Sequence, residues 1–255
     1  GEALKQVSGV VLDTNNSPIN NAKVCVQGNQ YCVHTDTRGH YDLWVDKVPD
    51  KINITAGKFG FYNRSHPFCE ESKTITIVLR PIPQRDNTDY LWLPSLTSGQ
   101  QIQTDGIEEN QPCQVCHPKI TEEWQQDAHS NAATNEIFLS FFNGTDVSGE
   151  KSAGPGYTSD FPNSSGNCAA CHVPALALEE PLHADPNKVE GVAAEGIFCD
   201  FCHKIRGIEI DHTGGKPGVM SIDLHRPSSD YQIFYGPFSD VYPGDDGYHP
   251  LYKKS

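Results

Sequence analysis

The sequence predicts an α+β protein of two domains, in which a small antiparallel β-sandwich precedes a loop-rich, mainly helical domain. Short segments of alternating apolar and polar residues follow one another between residues 6 and 80. The alternation ends at Pro81, and three copies of the motif C-x-x-C-H follow among many Gly and Pro residues. Only 36% of the 255 residues are hydrophobic, which is little for two independent packed cores.

The predicted sandwich, residues 1–82, consists of strands that can each bury one face. In "HYDLWVD", Tyr41, Leu43 and Val45 alternate with polar residues, and "TITIVLR" repeats the pattern. Turn-forming residues separate the segments, as expected of an antiparallel sandwich. The other segments that predict strands are "QVSGVVLD", "AKVCVQ", "QYCVHT" and "KINITAG".

Two cysteines of this domain lie on neighbouring predicted strands. A two-residue Gly28-Asn29 turn places Cys25 opposite Cys32, at a Cα separation of roughly 4.5 to 5.5 Å that suits a disulfide. In the alternative, Cys69 pairs with one of these two cysteines or forms a bond between subunits.

The stretch "VSGVVLDTNNSPINNAKVCVQGNQYCVHTDTRGHYDL" resembles the carboxypeptidase-regulatory-like, transthyretin-like domains. In those domains a Gly-Val strand, a segment P-I-x-x-A-x-V and a segment T-D-x-x-G-x-Y recur in this order. The resemblance covers roughly the first 80 residues. It implies a binding or spacing module and brings no catalytic residues with it.

Residues 83–110 predict a linker or extended arm, because prolines and polar residues interrupt any regular pattern. The second domain, residues 111–255, contains one segment that predicts a long helix, "KITEEWQQDAHSNAATNEIFLSFF". Its apolar positions are Ile120, Trp124, Ile137, Leu139 and Phe142. The rest of the domain reads as loops and short helices.

The motif C-x-x-C-H predicts covalent attachment of a c-type haem, because two thiols add to the two vinyl groups and the histidine then lies beneath the iron. Zinc sites built from cysteine pairs need about 15 to 20 residues between the pairs, whereas the gaps here are longer and unequal. A thioredoxin-like dithiol needs a βαβ context, which the sequence lacks. Three haem c groups are therefore predicted, and they can fill the core that the side chains cannot. The three motifs are Cys113, Cys116 and His117; Cys168, Cys171 and His172; and Cys199, Cys202 and His203.

This half of the chain resembles the multihaem cytochromes c, in which "CxxCHPxIxxxWxxxAH", "CAACHVP" and "EGIxCDFCHKI" occur in this order. The resemblance covers about the last 145 residues. It implies that the histidine of "WxxxAH", here His129, is a distal iron ligand. A largely helical stretch from 117 to 129 would span ~18 Å, so His129 is expected to serve a haem other than that of His117.

The predicted distal ligands are His129, His212 and His249. His212 lies nine residues after His203, so a neighbouring iron is its expected partner. His249 ends "YGPFSDVYPGDDGYHP", which is similar to a phrase that precedes a further haem motif in longer relatives. Five further histidines are alternatives: His183 and His225 as ligands, and His34, His40 and His66 as solvent-facing residues of the sandwich, one of which could cap a haem of another subunit.

The charge excludes two classes of partner. A formal charge of -14 and a pI near 5.1 disfavour nucleic acid and anionic membrane surfaces, and no basic cluster is present. No apolar run approaches the ~20 residues that a membrane helix needs. The chain begins "GEALKQVSG", so an export signal, if the protein is secreted, is expected to have been removed already.

An extracellular or cell-surface location is the expectation. Haem c is attached outside the cytoplasmic membrane in most prokaryotes, and disulfides persist in oxidising compartments. Five acceptor sequons for N-glycosylation agree with secretion. They are Asn15, Asn53, Asn63, Asn143 and Asn163.

Together these features predict an electron-transfer protein rather than an enzyme, with three bis-histidine haems as the relay and redox donor and acceptor proteins as partners. The resemblance to extracellular cytochrome nanowires further implies a homopolymer that forms a haem wire. The alternatives are a soluble or surface-tethered trihaem carrier, an oxidoreductase with an open haem site, and an adhesin that binds through the sandwich. The related nitrite-reducing and hydroxylamine-oxidising cytochromes carry a lysine-ligated haem or many more haems, and neither feature is found here.

Overall fold

The computed structural model describes residues 5–45, 52–68, 74–96, 112–151, 155–228 and 232–236. The chain divides into two compact units. The first contains the residues up to Thr88 and those from Arg226 onward, and the second runs from Asp89 to His225. These units differ from the expected ranges 1–82, 83–110 and 111–255 at three places. Residues 83–88, expected in the linker, belong to the first unit. Residues 89–96 belong to the second unit, and the described part of 226–236 belongs to the first.

The first unit contains two β-sheets, which confirms the predicted sandwich. One has three strands in the order β4-β1-β7, and the other has four in the order β3-β2-β5-β6. All pairs are antiparallel except β1 with β7, which is parallel. The strands are β1 (Lys5–Asp13), β2 (Lys23–Val26), β3 (Cys32–His34), β4 (His40–Val45), β5 (Ile52–Gly57), β6 (Arg64–Phe68) and β7 (Ile75–Leu79).

Alternation in the sequence places the core of this unit correctly. Along β4, Tyr41, Leu43 and Val45 are buried while the residues between them are exposed. Along β7, Ile75, Ile77 and Leu79 are buried in the same way. Each strand therefore presents one apolar face to the other sheet, as a period of two requires.

The register of β2 and β3 places Cys25 opposite Cys32, and the two form the predicted disulfide. Strand β6 is one that the alternation did not reveal, because its burial is irregular and it contains Pro67. It pairs only with β5, at the edge of its sheet, where a proline removes no hydrogen bond from a second neighbour. Cys69, the alternative disulfide partner, lies outside the described residues.

The segment after His225 packs on the first unit through charge and apolar contact. The guanidinium of Arg226, which is only 6% exposed, donates to the Asp86 carboxylate at 2.6 Å. Nearby, Asn87 Nδ2 donates to the Pro227 carbonyl at 3.0 Å. A separate apolar cluster completes this attachment, formed by Tyr62, Ile82, Ile233 and Tyr235.

Short helices and loops build the second unit, as the sequence predicts. The helices are α1 (Cys113–Cys116), α2 (Pro118–Gln125), α3 (Glu136–Asn143), α4 (Tyr157–Asp160), α5 (Cys168–His172) and α6 (Cys199–Cys202), and the strands β8 (Ile205–Ile208) and β9 (Ile222–Leu224) pair as a small antiparallel ladder. No helix among the described residues is long and apolar enough to cross a membrane.

The prediction of one long helix over 119–142 was wrong. A 3-10 turn, Ala128–Asn131, separates α2 from α3. Asp127 accepts from the N–H of His129 at the start of this turn, and Asn135 accepts from the N–H of Phe138 at the start of α3. Two side-chain caps therefore begin new elements inside a segment whose apolar spacing alone indicated a single helix.

Aliphatic packing in the second unit is sparse. Its buried apolar cluster consists mainly of alanines, with two valines. Gly218, at a φ of +58°, comes so close to α5 that a Cβ would lie 2.1 Å from the carbonyl oxygen of Ala170. This close backbone contact is possible because position 218 carries no Cβ.

Candidate haem-binding site

Each C-x-x-C-H motif forms a single helical turn, and the three turns present their cysteines alike. A spacing of three and four residues in a helical turn brings the two thiols and the histidine to one side. In all three turns the first cysteine is half-buried and the second is exposed. The same donor arrangement therefore occurs three times on independent parts of the chain: at α1, α5 and α6.

His172, the histidine of α5, is held in one orientation by two contacts. Its ring stacks on Phe138 with centroids 3.7 Å apart and planes 1° apart. Its Nδ1 lies 3.1 Å from the carbonyl oxygen of Ala132. Because a carbonyl only accepts, Nδ1 carries the proton and Nε2 presents its lone pair, as in most metal-bound histidines.

His129 shows a similar arrangement with a carboxylate instead of a carbonyl. Asp127 Oδ1 lies 2.5 Å from His129 Nδ1 and also accepts from the His129 backbone N–H at 2.9 Å. The backbone bond, followed by the ring bond, lowers the pKa of Asp127. The carboxylate therefore stays charged beside the ring and directs Nε2 outward, toward solvent or a ligand.

The turn that carries His129 is fastened to the segment before α6. Ile197 donates its N–H to the carbonyl of His129 at 3.0 Å and accepts from Trp124 Nε1 at 2.8 Å. Gly196, with a φ of +74°, allows this approach, because a Cβ would lie 2.6 Å from the His129 carbonyl oxygen. His129 is thus held next to the third motif, which is the C-x-x-C-H motif farthest from it in the sequence.

Residues 89–96, which we call the strap, join the first and third motifs. The N–H of Cys113 donates to the carbonyl of Pro94 at 3.1 Å, and the N–H of Gln114 donates to that of Ser95 at 3.0 Å. On the other side, Ser95 Oγ accepts from the N–H of Cys199 at 3.2 Å. The strap therefore satisfies N–H groups at the starts of both α1 and α6, which have no partners inside such short helices.

As a result the first cysteines of these two motifs lie side by side. The thiols of Cys113 and Cys199 share a hydrogen bond, which raises the pKa of Cys113 and lowers that of Cys199 to about 7. Burial raises the pKa of Cys113 further. Cys113 and Cys199 are therefore neighbours in space although 86 positions separate them in the chain.

A buried ion pair beside the third motif was missed by the sequence analysis. Asp200 and Lys204 are both 0% exposed and form a salt bridge. Burial lowers the pKa of Lys204, and the charge of Asp200 opposes that shift. The spacing of four residues on a helical turn was a signal for the pair, but a charged pair at this spacing is usually on a solvated face.

The other predicted distal ligands stand apart from this arrangement. His212 is exposed in the loop after β8, and His183 is exposed as well. His225 is 1% exposed, and its N–H donates to the carbonyl of Lys204 at 2.9 Å. His249 lies outside the described residues. Burial beside the third motif makes His225 a stronger candidate than its sequence context indicated.

The second unit also offers apolar surface that suits a haem. Of its described residues, Val115, Ile120, Ile137 and Phe141 are between 50% and 67% exposed, close in the chain to α1 or to the ring stacked on His172. Thiols, oriented imidazoles and apolar side chains are the groups that hold haem c. The residues present therefore fit this group. Within the described ranges, no three His, Cys, Asp or Glu side chains converge on a point where they could hold a bare metal ion.

The five predicted glycosylation sites occupy different environments. Asn15 and Asn163 are exposed, and Asn53 and Asn143 are half-buried with their amides hydrogen-bonded to Gln27 and Asn187. Asn63 is 2% exposed and packs on Gly57. A glycan requires a free amide nitrogen at the surface, so the burial of Asn63 disfavours modification there.

Comparison with solved structures finds weak, partial likenesses, two of which illustrate their extent. A type II cohesin–X-dockerin complex from Acetivibrio cellulolyticus is 16% identical, with 30% of this chain and 58% of that chain covered at a TM-score of 0.26. A 3-chlorocatechol 1,2-dioxygenase from Rhodococcus opacus is 8% identical, with 32% and 61% covered at a TM-score of 0.25. The matches thus span less than two thirds of these structures, and they are too weak to support a function.

Comparison with protein families is more informative. No curated protein matches the chain. Residues 112–204 match the family model described as cytochrome c554 and c-prime. This range contains all three C-x-x-C-H motifs and His129. The second unit is therefore similar to cytochromes c554 and c-prime, which supports a multihaem electron-transfer cytochrome with covalently bound haem c.

Proposed function

We propose that this protein transfers electrons through three c-type haems attached to α1, α5 and α6. The observation that carries the proposal is the threefold recurrence of one attachment turn, with a half-buried thiol, an exposed thiol and a histidine. The match of residues 112–204, which contain these motifs, to a cytochrome family also supports it. When bound, haem c supplies an iron that gains and loses one electron.

The chain's own residues hold and orient the groups. The six cysteines of the motifs form thioether bonds, and the proximal ligands are His117, His172 and His203. The Nδ1–H bond of His172 to Ala132 leaves Nε2 as its metal-binding atom, which fits a proximal role.

The distal ligands that we propose are His129, His212 and His249, with His225 as an alternative because it is buried beside the third motif. For His129 the support is its carboxylate partner, since a ligating histidine commonly donates its second ring nitrogen to such a group. Histidine on both faces closes the coordination sphere, so such sites pass electrons and do not bind substrate. This favours an electron carrier over a redox enzyme.

We also propose that the protein acts outside the cell and that copies of it polymerise into a wire. The Cys25–Cys32 disulfide supports an oxidising compartment. The support for polymerisation is the resemblance to nanowire cytochromes, together with a supply of histidines, 11 in all, that exceeds the needs of three haems. A soluble or tethered trihaem carrier is the alternative.

The first experiment is a count of attached haems. The mass of the secreted, purified protein should exceed that of the 28.1 kDa polypeptide by three haems, under denaturing conditions that strip any non-covalent cofactor. Replacing Cys168 and Cys171 by alanine should remove one haem and no more. A parent protein that carries fewer than three, or that carries zinc in place of haem, would contradict the proposal.

A further inference from the structure

The attachment turns α5 and α6 bury different types of side chain at equivalent positions. The positions are the residue after the first cysteine and the residue after the histidine. In α5 they hold Ala169 and Val173, and both are 0% exposed. In the α6 motif they hold Asp200 and Lys204, also 0% exposed. The second motif therefore buries an apolar pair where the third buries an ion pair.

The carboxylate of Asp200 uses both of its oxygens. Oδ1 accepts from the ammonium of Lys204. Oδ2 accepts from the Tyr90 hydroxyl at 3.0 Å and from the Leu93 N–H at 2.9 Å, both in the strap. The ammonium of Lys204 also lies 5.1 Å from the centroid of the Tyr90 ring, within range of a cation–π contact.

Stability alone does not explain this pair. Removing two charges from water carries a desolvation cost that their attraction often fails to recover, and apolar replacements of buried pairs are often neutral or stabilising. The pair Ala169 and Val173 shows that the same turn folds with small apolar residues at these positions. The charges therefore point to a role at the third haem site.

We propose that Asp200 and Lys204 are positioning residues that set the reduction potential of the third haem apart from that of the second. This inference rests on the proposed haem-based function. Asp200 lies between the two attaching cysteines of α6, and Lys204 directly follows His203. Fixed charges in a buried site are screened less than charges at the surface, so both act strongly on a neighbouring iron.

The sign of each contribution follows from electrostatics. Reduction adds one negative charge to the haem, so a nearby cation favours the reduced state and a nearby anion favours the oxidised state. Asp200 has a second effect, because its bonds to Tyr90 and Leu93 hold the strap against α6. The carboxylate thus sets both the local field and the position of the attachment turn.

The test is a voltammetric titration of the holoprotein, with the three potentials assigned by NMR of the haem methyl groups. Asp200→Asn should raise the third potential, and Lys204→Met should lower it. The double variant Asp200→Ala, Lys204→Val transplants the apolar pair of the second motif and should move the third potential by less than either single change. Glu209→Gln is the matched control, because it breaks the exposed salt bridge with Lys216 and should leave all three potentials unchanged.

Each outcome decides the inference. Shifts of the same sign in both single variants, an unchanged third potential, or an equal shift of all three haems would overturn it. If a single variant loses its third haem, the double variant decides the question, because it leaves no lone buried charge. The double variant should retain three haems with an altered third potential. An unaltered third potential in the double variant refutes the proposal. A parent protein without haem would instead refute the proposed function itself.

Discussion

The His129 ring is oriented by hydrogen bonding rather than by burial. Its side chain is 60% exposed, yet its ring is held at 2.5 Å by the Asp127 carboxylate. The same carboxylate caps the 3-10 turn through the His129 N–H, so one acidic residue sets both backbone and ring. Such a carboxylate partner fixes the tautomer and the orientation of the ring.

Replacing His129 by alanine should open one haem iron. The variant is expected to show a high-spin ferric signal and to bind carbon monoxide when reduced, while the parent does neither. Electron paramagnetic resonance and carbon monoxide difference spectra measure both effects. Asn131→Ala, at an exposed position of the same turn, is the control and should behave as the parent. Equal carbon monoxide binding by parent and H129A would show that His129 is not a ligand.

Gly196 offers a second test at the residue scale. Alanine there meets two penalties, a φ of +74° and a Cβ only 2.6 Å from the His129 carbonyl oxygen. Gly191 has a similar φ of +61° but nothing within 4 Å of its Cβ position. We expect Gly191→Ala to lower the free energy of unfolding by about 1 kcal/mol and Gly196→Ala by about 3 kcal/mol. Urea unfolding measures both, and equal losses would mean that the close contact is unimportant.

At the scale of the elements, the strap connects two of the C-x-x-C-H motifs. It carries no motif, yet it pairs with the first turns of α1 and α6 and holds their leading cysteines together. Motifs that are far apart in the sequence can be neighbours in space. The order of the motifs along the chain therefore does not give the order in which bound haems would exchange electrons. The pair brought into contact is the first and third.

This adjacency predicts which haems interact. Two haems in contact couple their Soret transitions, which gives a split circular dichroism band. Removing the second motif with Cys168→Ala and Cys171→Ala should leave the split band in place. Removing the third with Cys199→Ala and Cys202→Ala should abolish it. A band that depends on the second motif instead would contradict the arrangement of α1 and α6.

In the sandwich, the Cys25–Cys32 disulfide closes a short hairpin between β2 and β3. Its removal by Cys25→Ser and Cys32→Ser should lower the free energy of unfolding of this unit by about 2 to 3 kcal/mol, since a loop of this length restricts the unfolded chain only modestly. Fluorescence of Trp44 in β4 can follow the transition. No change would show that the hairpin is held by strand pairing alone.

At the scale of the whole molecule, charge opposes the proposed assembly. The formal charge of -14 repels copies of the chain from one another, and haem propionates would add to it. A filament therefore needs ligation, apolar contact or strand pairing to offset the repulsion. An interface that does not close on itself propagates into a fibre.

Electron microscopy of the native protein should show filaments, and His249→Ala should shorten or abolish them if this histidine binds the iron of a neighbouring copy. Raising the salt concentration should promote assembly, because it screens the repulsion. If only monomers or closed dimers are seen at every salt concentration, the filament proposal is wrong and the protein is a soluble trihaem carrier. Filaments that persist in the His249→Ala variant would show that another histidine donates the ligand across the interface.

Local patterns predicted much of this protein. Alternating burial in β4 and β7, the Cys25–Cys32 register and the three attachment turns follow from short stretches of sequence. Each depends on residues a few positions apart, where the period of a strand or helix decides which side chains meet. The same reasoning missed the break between α2 and α3, because Asp127 and Asn135 act as caps only when the backbone adopts those turns.

The sequence by itself determined what chemistry the protein carries: paired thiols, each with a following histidine, three times over, preceded by a domain of alternating strands. Only the tertiary structure decided how those parts meet. It brought the first motif next to the third, buried Asp200 with Lys204, and returned Arg226 to the sandwich. These contacts join residues up to 140 positions apart. Such pairs meet only when the whole chain has found its lowest free energy, because no local period records them.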